Sequence, residues 1–140
     1  MLLFYVYLMK KRVIIESPYN NENYEIVLRN IRYARSCVHD SLMRGENPYA
    51  SHIFFTQSGI LDDNNSDDRK SGMEAGWEMA ISADFVAVYT DLSISYGMKQ
   101  GIERHRQDGR KIEYRLLGDN WEKDYFNRAG KHSHKDVWNI

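Results

Sequence analysis

A carboxylate, a hydroxyl and an aromatic ring stand next to one another near the start of the chain. Glu16 is followed directly by Ser17, Pro18 and Tyr19. A carboxylate at this place can act as a base or a nucleophile or hold sugar hydroxyls, and a tyrosine ring can stack on a nucleobase. The alternative interpretation is a charge at the end of a strand, followed by an ordinary Ser-Pro turn.

A second group of polar residues lies in the segment 91–98, DLSISYGM. Ser93 or Ser95 can cap the helix that we expect to follow, and the free N–H groups of such a helix end attract an anion or a hydroxyl. Gly97 would allow a ligand oxygen to approach the backbone closely, and Met98 comes directly after it. A phosphate or a ribose hydroxyl suits such a site, whereas the alternative is a simple helix cap with two solvated serines.

A pair of glutamates provides another candidate for acid and base chemistry. Glu74 and Glu78 are four residues apart, so they share one face of a predicted helix. Two carboxylates in different environments can divide the roles of acid and base. Because most such pairs belong to a solvated helix surface, we retain only Glu74 as a catalytic candidate.

The elements that must position these residues alternate between strands and helices. Apolar and β-branched runs predict strands, and apolar residues at steps of three and four predict helices. The predicted strands cover residues 12–16, 51–56, 85–89 and 111–117, and the predicted helices cover residues 23–44, 69–83, about 96–108 and a stretch around 121–128. The polar stretch 57–68 between them is predicted to be a loop.

This alternation predicts an α/β fold with a mostly parallel sheet of four to five strands. In such sheets a ligand binds at the carboxyl ends of the strands, where the strand order reverses. If that point lies between the first and third strands, the segments 16–19 and 90–93 meet there. The fold therefore predicts that Glu16 and Asp91 belong to one site.

Composition limits the classes of protein to which the chain can belong. It has 140 residues and a net charge of −1, so there is no basic excess with which to bind a nucleic acid polymer. The single cysteine, Cys37, cannot form an internal disulfide, and we expect a cytoplasmic protein. The apolar start at residues 1–9 is shorter than the roughly 20 residues of a membrane span, and we expect an edge strand or an extension there.

The length suits one domain, and we predict an extension at residues 1–11, a domain at 12–118 and a tail at 119–140. The sequence has no Walker glycine loop, no G-x-S-x-G and no H-E-x-x-H, which argues against the usual P-loop NTPases, serine hydrolases and zinc proteases. We predict neither a cofactor nor a metal site.

Three segments together resemble the nucleoside 2-deoxyribosyltransferase-like superfamily. They are the strand that ends in Glu16-Ser17-Pro18-Tyr19, the run SADFVAVY at residues 82–89, and Ser95-Tyr96-Gly97 at the start of a helix. The chain is most similar to the small members of that group that are common in bacteriophages and bacteria. The similarity extends over residues 12–118.

The resemblance implies a flavodoxin-like three-layer sandwich, often assembled as a homo-oligomer, that binds a nucleoside or nucleotide. It implies cleavage or transfer at the N-glycosidic bond. Ser17 and Tyr19 would lie near the base or sugar, Asp91 would orient the sugar, and Ser93, Ser95 and Gly97 would hold its phosphate or ribose end.

The sequence departs from the family at the glutamate that usually performs the chemistry. The pattern D-x-G-T-x-x-E, placed on Asp91, puts Gly97 at the glutamate position, and S-x-G-A-x-x-E, placed on Ser95, puts Gly101 there. Glu103 would lie on another face of the helix. Either Glu16 or Glu74 has replaced the missing carboxylate, or the protein binds a nucleotide without cleaving it.

Three functions follow as hypotheses. The first is an enzyme that hydrolyses or transfers an N-glycosidic bond, with Glu16 or Glu74 as the carboxylate. The second is a module that sequesters or senses a nucleotide or an ADP-ribose-like signal, including a phage counter-defence role. The third is an interaction scaffold that uses the aromatic tail.

Overall fold

The computed structural model describes residues 9–133, and within them the chain forms four strands and five helices. The strands are β1 (Arg12–Glu16), β2 (Asn47–Tyr49), β3 (Phe85–Tyr89) and β4 (Ile112–Arg115). The helices are α1 (Tyr24–Met43), α2 (Ser51–Phe54), α3 (Ser66–Ala80), α4 (Tyr96–Gln107) and α5 (Trp121–Gly130). The expected edge strand at residues 1–8 and the end of the tail after residue 133 lie outside this description.

The four strands form one parallel sheet in the order β2-β1-β3-β4. This order places the first and third strands side by side, with Ile14 of β1 opposite Val86 of β3. The chain moves to one side of β1 to form β2 and to the other side of β3 to form β4. The predicted flavodoxin-like α/β fold, with its strand order reversing between β1 and β3, is therefore confirmed.

Helices cover both faces of the sheet. Successive strand residues point to opposite sides, and each side carries apolar residues that the helices bury. Val13 and Ile15 of β1 pack in one core, to which α1 contributes Tyr33 and Cys37. Ile14 belongs to the other core, with Ala80 of α3 and Met98 and Ile102 of α4. Glu16 has the same parity as Ile14, so its side chain faces α3 and α4.

The strand predicted at residues 51–56 is wrong. Residues 51–54 form the short helix α2, and the strand lies earlier, at Asn47–Tyr49. Pro48 is compatible with this position because β2 is an edge strand, where a missing N–H costs little. A short apolar run has the same composition in a buried helix as in a strand, so its period alone could not separate the two.

The helix ends are fixed by local capping. Asn65 caps α3 with its side chain, accepting from the amides of Asp67 and Asp68, so the helix begins slightly earlier than the sequence predicted. Ser95 caps α4 by accepting from the amide of Met98. In the described part of the chain, none of the helices combines the length and the apolar character that crossing a membrane requires.

Candidate functional site

A cavity of about 450 Å³ opens at the carboxyl ends of β1 and β3. It lies where the strand order reverses, which is the predicted place. Its floor is formed by residues after β1 and by α4, and its walls come from α2, α3 and the loop between them. The residues that line it include Glu16, Ser17, Tyr19, His52, Phe55, Asp63, Arg69, Trp77, Ser95, Gly97, Met98, Gly101 and His105.

Glu16 presents its carboxylate to this cavity from the last position of β1. A Cβ atom at Gly101 would lie 3.1 Å from Oε1 of Glu16 and 3.3 Å from Oε2, so the carboxylate lies against the bare α-carbon of Gly101. Its other neighbour is His105, whose Nε2 is 2.9 Å from Oε1. A glycine at residue 101 therefore provides the space that the Glu16 carboxylate occupies.

His105 is a site residue that sequence reasoning missed. Its side chain is 1% exposed and follows Met98 and Ile102 along the buried face of α4. A histidine at such a position resembles a core residue in the sequence. Its spacing of one helical turn from Gly101 was the available signal, since residues i and i+4 share a face.

Ser17 and His52 form a second polar pair on the floor of the cavity. Oγ of Ser17 lies 2.7 Å from Nε2 of His52, and the serine is buried. Burial lowers the pKa of His52, although the charge of Glu16 opposes this shift, so the imidazole is neutral near pH 7. The pair holds the Ser17 hydroxyl in a fixed direction. Sequence reasoning missed His52 because it assigned residues 51–56 to a strand.

The first turn of α4 forms one end of the cavity, and the candidates Ser95, Gly97 and Met98 line it there. Ser95 already uses its hydroxyl oxygen to accept the amide of Met98, at 3.2 Å. Arg69 of α3 lies beside this turn, where a Cβ atom at Gly97 would be 3.5 Å from its Nη2. The same guanidinium pairs with Asp63 at 2.8 Å, which offsets most of its charge.

Carboxylates outnumber cations along the cavity. Glu16, Glu22, Asp63 and Asp68 line it, and Arg69 is the basic side chain among the lining residues that the structure describes. Burial raises the pKa of Asp63, against the opposing effect of Arg69. The two histidines add no fixed positive charge when neutral. A negatively charged ligand group would therefore meet a repulsive field in most of the cavity.

Two predicted site residues in the connection after β3, Asp91 and Ser93, do not line the cavity. Asp91 turns towards the other face of the sheet, where it accepts hydrogen bonds from the Tyr33 hydroxyl at 2.5 Å and from the amides of Leu117 and Gly118. Ser93 adopts a left-handed conformation, with φ of 69°, in the turn that precedes α4. Asp91 thus joins the end of β3 to the end of β4.

The structure also separates Glu16 from the other catalytic candidate. Glu74 is exposed, pairs loosely with Lys70 at 3.9 Å and lies outside the cavity, as does the exposed Glu78. α3 presents Gly72, Met73, Gly76 and Trp77 to the cavity instead. Pro18 is buried and shapes the turn between Ser17 and Tyr19 without lining the cavity.

No group of three or more metal-binding side chains suited to an ion occurs within residues 9–133. The cavity offers instead the half-buried carboxylate of Glu16, two imidazoles, one fixed hydroxyl and aromatic walls from Tyr19, Phe55 and Trp77. These groups suit a ligand that combines a sugar with a flat ring.

Comparison with known proteins gives one family and one solved structure. The model of a family described as a domain of unknown function, DUF7768, matches residues 11–115. A solved structure of a 2-deoxyribosyltransferase from the psychrotolerant bacterium Bacillus psychrosaccharolyticus is similar, with a TM-score of 0.48 and 13% sequence identity over 90% of this chain and 95% of that chain. None of the curated proteins gives a significant match.

Proposed function

The chain belongs to the DUF7768 family, whose description names no activity, and we propose that it cleaves or transfers the N-glycosidic bond of a nucleoside. Glu16 is the carboxylate to which we assign the chemistry. Ser17 and Tyr19 contact the sugar and the base, and the first turn of α4 at Ser95, Gly97 and Met98 holds the far side of the ribose.

The contact between Glu16 and Gly101 carries this proposal. Of the two family patterns, the one placed on Ser95 implies a glutamate at residue 101, where this chain has glycine. The Glu16 carboxylate lies 3.1–3.3 Å from the point where a side chain at residue 101 would begin. A carboxylate from β1 thus enters the region of the cavity that a carboxylate from α4 would enter. Glu74 is a weaker candidate for the catalytic carboxylate, because it is exposed and lies outside the cavity.

The reaction follows from the position of this carboxylate beside the sugar. As the bond between the anomeric carbon and the base nitrogen breaks, the base leaves with the electron pair and takes up a proton from solvent water. The sugar develops oxocarbenium character, which the negative Glu16 stabilises or traps as a glycosyl ester. Water or a second base then attacks the anomeric carbon, gives up its proton and restores the carboxylate.

The charges of the cavity favour a nucleoside over a nucleotide. Ser93 lies outside the cavity, the oxygen of Ser95 already accepts the amide of Met98, and Asp63 pairs with Arg69. Glu22 and Asp68 add further negative charge. A 5′-phosphate would therefore lack a free cation and would be repelled, whereas an uncharged ribose would not.

The alternative function is a module that binds the same ligand without cleaving it. The missing family glutamate favours this alternative, because glycine stands at both positions that the family patterns give for it, residues 97 and 101. Retention of an intact nucleoside by the purified protein, with no free base, would support it. A cytoplasmic location and a homo-oligomeric state are further parts of the proposal, supported by the single cysteine and by the resemblance respectively.

A comparison of E16Q with E74Q tests the enzymatic proposal. Purified protein is incubated with a mixture of ribo- and deoxyribonucleosides, and free bases are measured by mass spectrometry. We expect base release by the native protein and by E74Q, and a loss of at least about 1,000-fold in E16Q, since a nucleophile or charge stabiliser is removed. Glu74 is a matched control because it is a carboxylate outside the cavity. Equal rates in E16Q and the native protein would contradict the assignment.

A further inference from the structure

The imidazole of His105 bridges two charged groups inside the protein. Nε2 lies 2.9 Å from Oε1 of Glu16, and Nδ1 lies 3.1 Å from Nη1 of Arg110. The histidine side chain is 1% exposed, and that of Arg110 is 10% exposed. Both ring nitrogens therefore have a protein partner at hydrogen-bond distance.

The chemistry of arginine decides which ring nitrogen carries the proton. A guanidinium has only donors and stays protonated, so Nη1 of Arg110 donates and Nδ1 of His105 accepts. Nη1 has two hydrogens, and its second one reaches Asp108 at 3.0 Å. A neutral ring that accepts at Nδ1 carries its proton on Nε2, and this N–H points at the Glu16 carboxylate.

The end of α4 explains why Arg110 reaches this place. Gly109 has φ of 73°, its amide donates to the carbonyl of Arg106, and the amide of Arg110 donates to the carbonyl of His105. This pair of bonds is a Schellman motif, which turns the chain back over the last turn of the helix. Nε of Arg110 also donates to the carbonyl of Ala80, at 3.0 Å. The guanidinium is thus fixed on both sides.

From this geometry we infer that His105 is a positioning residue for Glu16, locked by Arg110 as an Nε2–H donor. The inference deepens the proposed function and rests on it for its kinetic consequence. Glu16 receives one hydrogen bond at Oε1, and the contact with Gly101 limits the rotation of the carboxylate. The carboxylate is thereby held in one orientation towards the anomeric carbon.

The same lock excludes His105 from proton transfer. A second proton would have to enter at Nδ1, where it would face the N–H of Arg110, and two donors cannot share a hydrogen bond. His105 therefore keeps one protonation state while the sugar and base pass through the cavity. Its effect on the reaction comes entirely through Glu16.

Nuclear magnetic resonance tests the assignment without any substrate. In protein labelled with ¹⁵N-histidine, the His105 signals are identified by their absence from H105Q. We expect the neutral ring with its proton on Nε2 in the native protein, and a mixture of tautomers in R110M. A proton on Nδ1, or a doubly protonated ring near neutral pH, would overturn the inference whether or not the protein cleaves nucleosides.

Kinetics with the nucleoside that the native protein cleaves test the positioning role. H105L removes the donor, and we expect kcat to fall by about 100-fold with KM changed by less than about threefold, because a misplaced reacting group affects turnover rather than binding. H105Q keeps an N–H donor at a similar distance and should recover most of kcat. The exposed Glu103 on the same helix supplies the control variant E103Q, which should behave like the native protein.

The outcomes separate this inference from the proposed function. An unchanged kcat in H105L, or equal losses in H105L and H105Q, overturns the positioning role while leaving Glu16 as the catalytic carboxylate. A native protein that releases no base contradicts the proposed function and with it the kinetic role of His105. The tautomer measurement still decides in that case whether Arg110 locks the ring.

Discussion

The carboxylate of Asp91 lies near the cavity, but its hydrogen bonds stabilise the fold. Its two oxygens accept from the Tyr33 hydroxyl and from the amides of Leu117 and Gly118. Burial alone would raise the pKa of Asp91, but the hydrogen bonds from Tyr33, Leu117 and Gly118 together lower it. The carboxylate is therefore charged at neutral pH and fully used within the protein.

This use predicts that D91N affects stability rather than base release. An amide NH₂ would face the backbone donors of Leu117 and Gly118, so we expect the free energy of unfolding to fall by about 2 kcal/mol. Urea denaturation measures the loss, with D119N as the control because Asp119 is exposed. If D91N keeps the native stability but no longer releases base, the prediction is wrong and Asp91 takes part in the reaction.

The outer strands and helices are joined by a buried ion pair between Arg115 at the end of β4 and Glu46 just before β2. Two guanidinium nitrogens of Arg115 donate to Glu46 at 2.8 and 2.7 Å, and one also donates to the Tyr89 hydroxyl of β3 at 3.2 Å. Glu113 pairs with the same guanidinium from a more exposed position. One arginine thus connects elements from both edges of the sheet.

This pair predicts a stability that depends on pH. The hydrogen bond from Arg115 lowers the pKa of Glu46, although burial opposes it. A lowered folded-state pKa stabilises the protein above the unfolded value of about 4.3, and this contribution is lost as pH falls through the folded value. We expect E46Q to lose about 3 kcal/mol of unfolding free energy at pH 7 and less in acid.

Denaturation of E46Q and E113Q across the acid range measures this effect. Glu113 is the matched control because it bonds the same arginine with a side chain that is 45% exposed. We expect E113Q to lose less than about 1 kcal/mol. Equal losses of unfolding free energy in the two variants would mean that burial of the pair does not explain the loss in E46Q.

For the molecule as a whole, the charge of the cavity determines which ligands stabilise the folded protein, and this stabilisation can be measured without a reaction rate. A ligand that binds only the folded state raises the free energy of unfolding, by about 2.7 kcal/mol at 100 times its Kd. We expect a nucleoside to raise Tm more than its 5′-monophosphate at equal concentration, because Glu22 and Asp68 repel the phosphate while Asp63 offsets the charge of Arg69. Thermal scans compare the two, with E16Q used so that the ligand stays intact.

Salt supplies the control for this comparison. If repulsion causes the difference in Tm between the two ligands, added salt reduces that difference by screening the carboxylates that line the cavity. If the phosphate is excluded sterically, salt leaves the difference unchanged. A monophosphate that raises Tm more than the nucleoside does would contradict the proposed substrate class. It would direct attention to Arg69 beside Gly97 as a phosphate contact.

The α/β fold and six of the residues that line the cavity could be predicted from the sequence, because each strand and helix shows its pattern within its own segment. Apolar, β-branched runs identified β1, β3 and β4, although the same kind of run at residues 51–56 proved helical, and the capping serine identified the start of α4. Six residues that line the cavity were named as candidates in this way, since strand ends and helix starts meet at the same edge of a parallel sheet. They are Glu16, Ser17, Tyr19, Ser95, Gly97 and Met98.

The partners of these residues could not be predicted from the sequence, because they depend on tertiary packing. His105 and Glu16 are 89 positions apart in the chain, and no local period relates them. The packing of α4 on β1 brings them together, just as the packing of β4 beside β3 draws Asp91 away from the cavity. Burial patterns report that a side chain has a neighbour, but the identity of that neighbour depends on how separate elements pack, and this packing gives Glu16 its place beside Gly101.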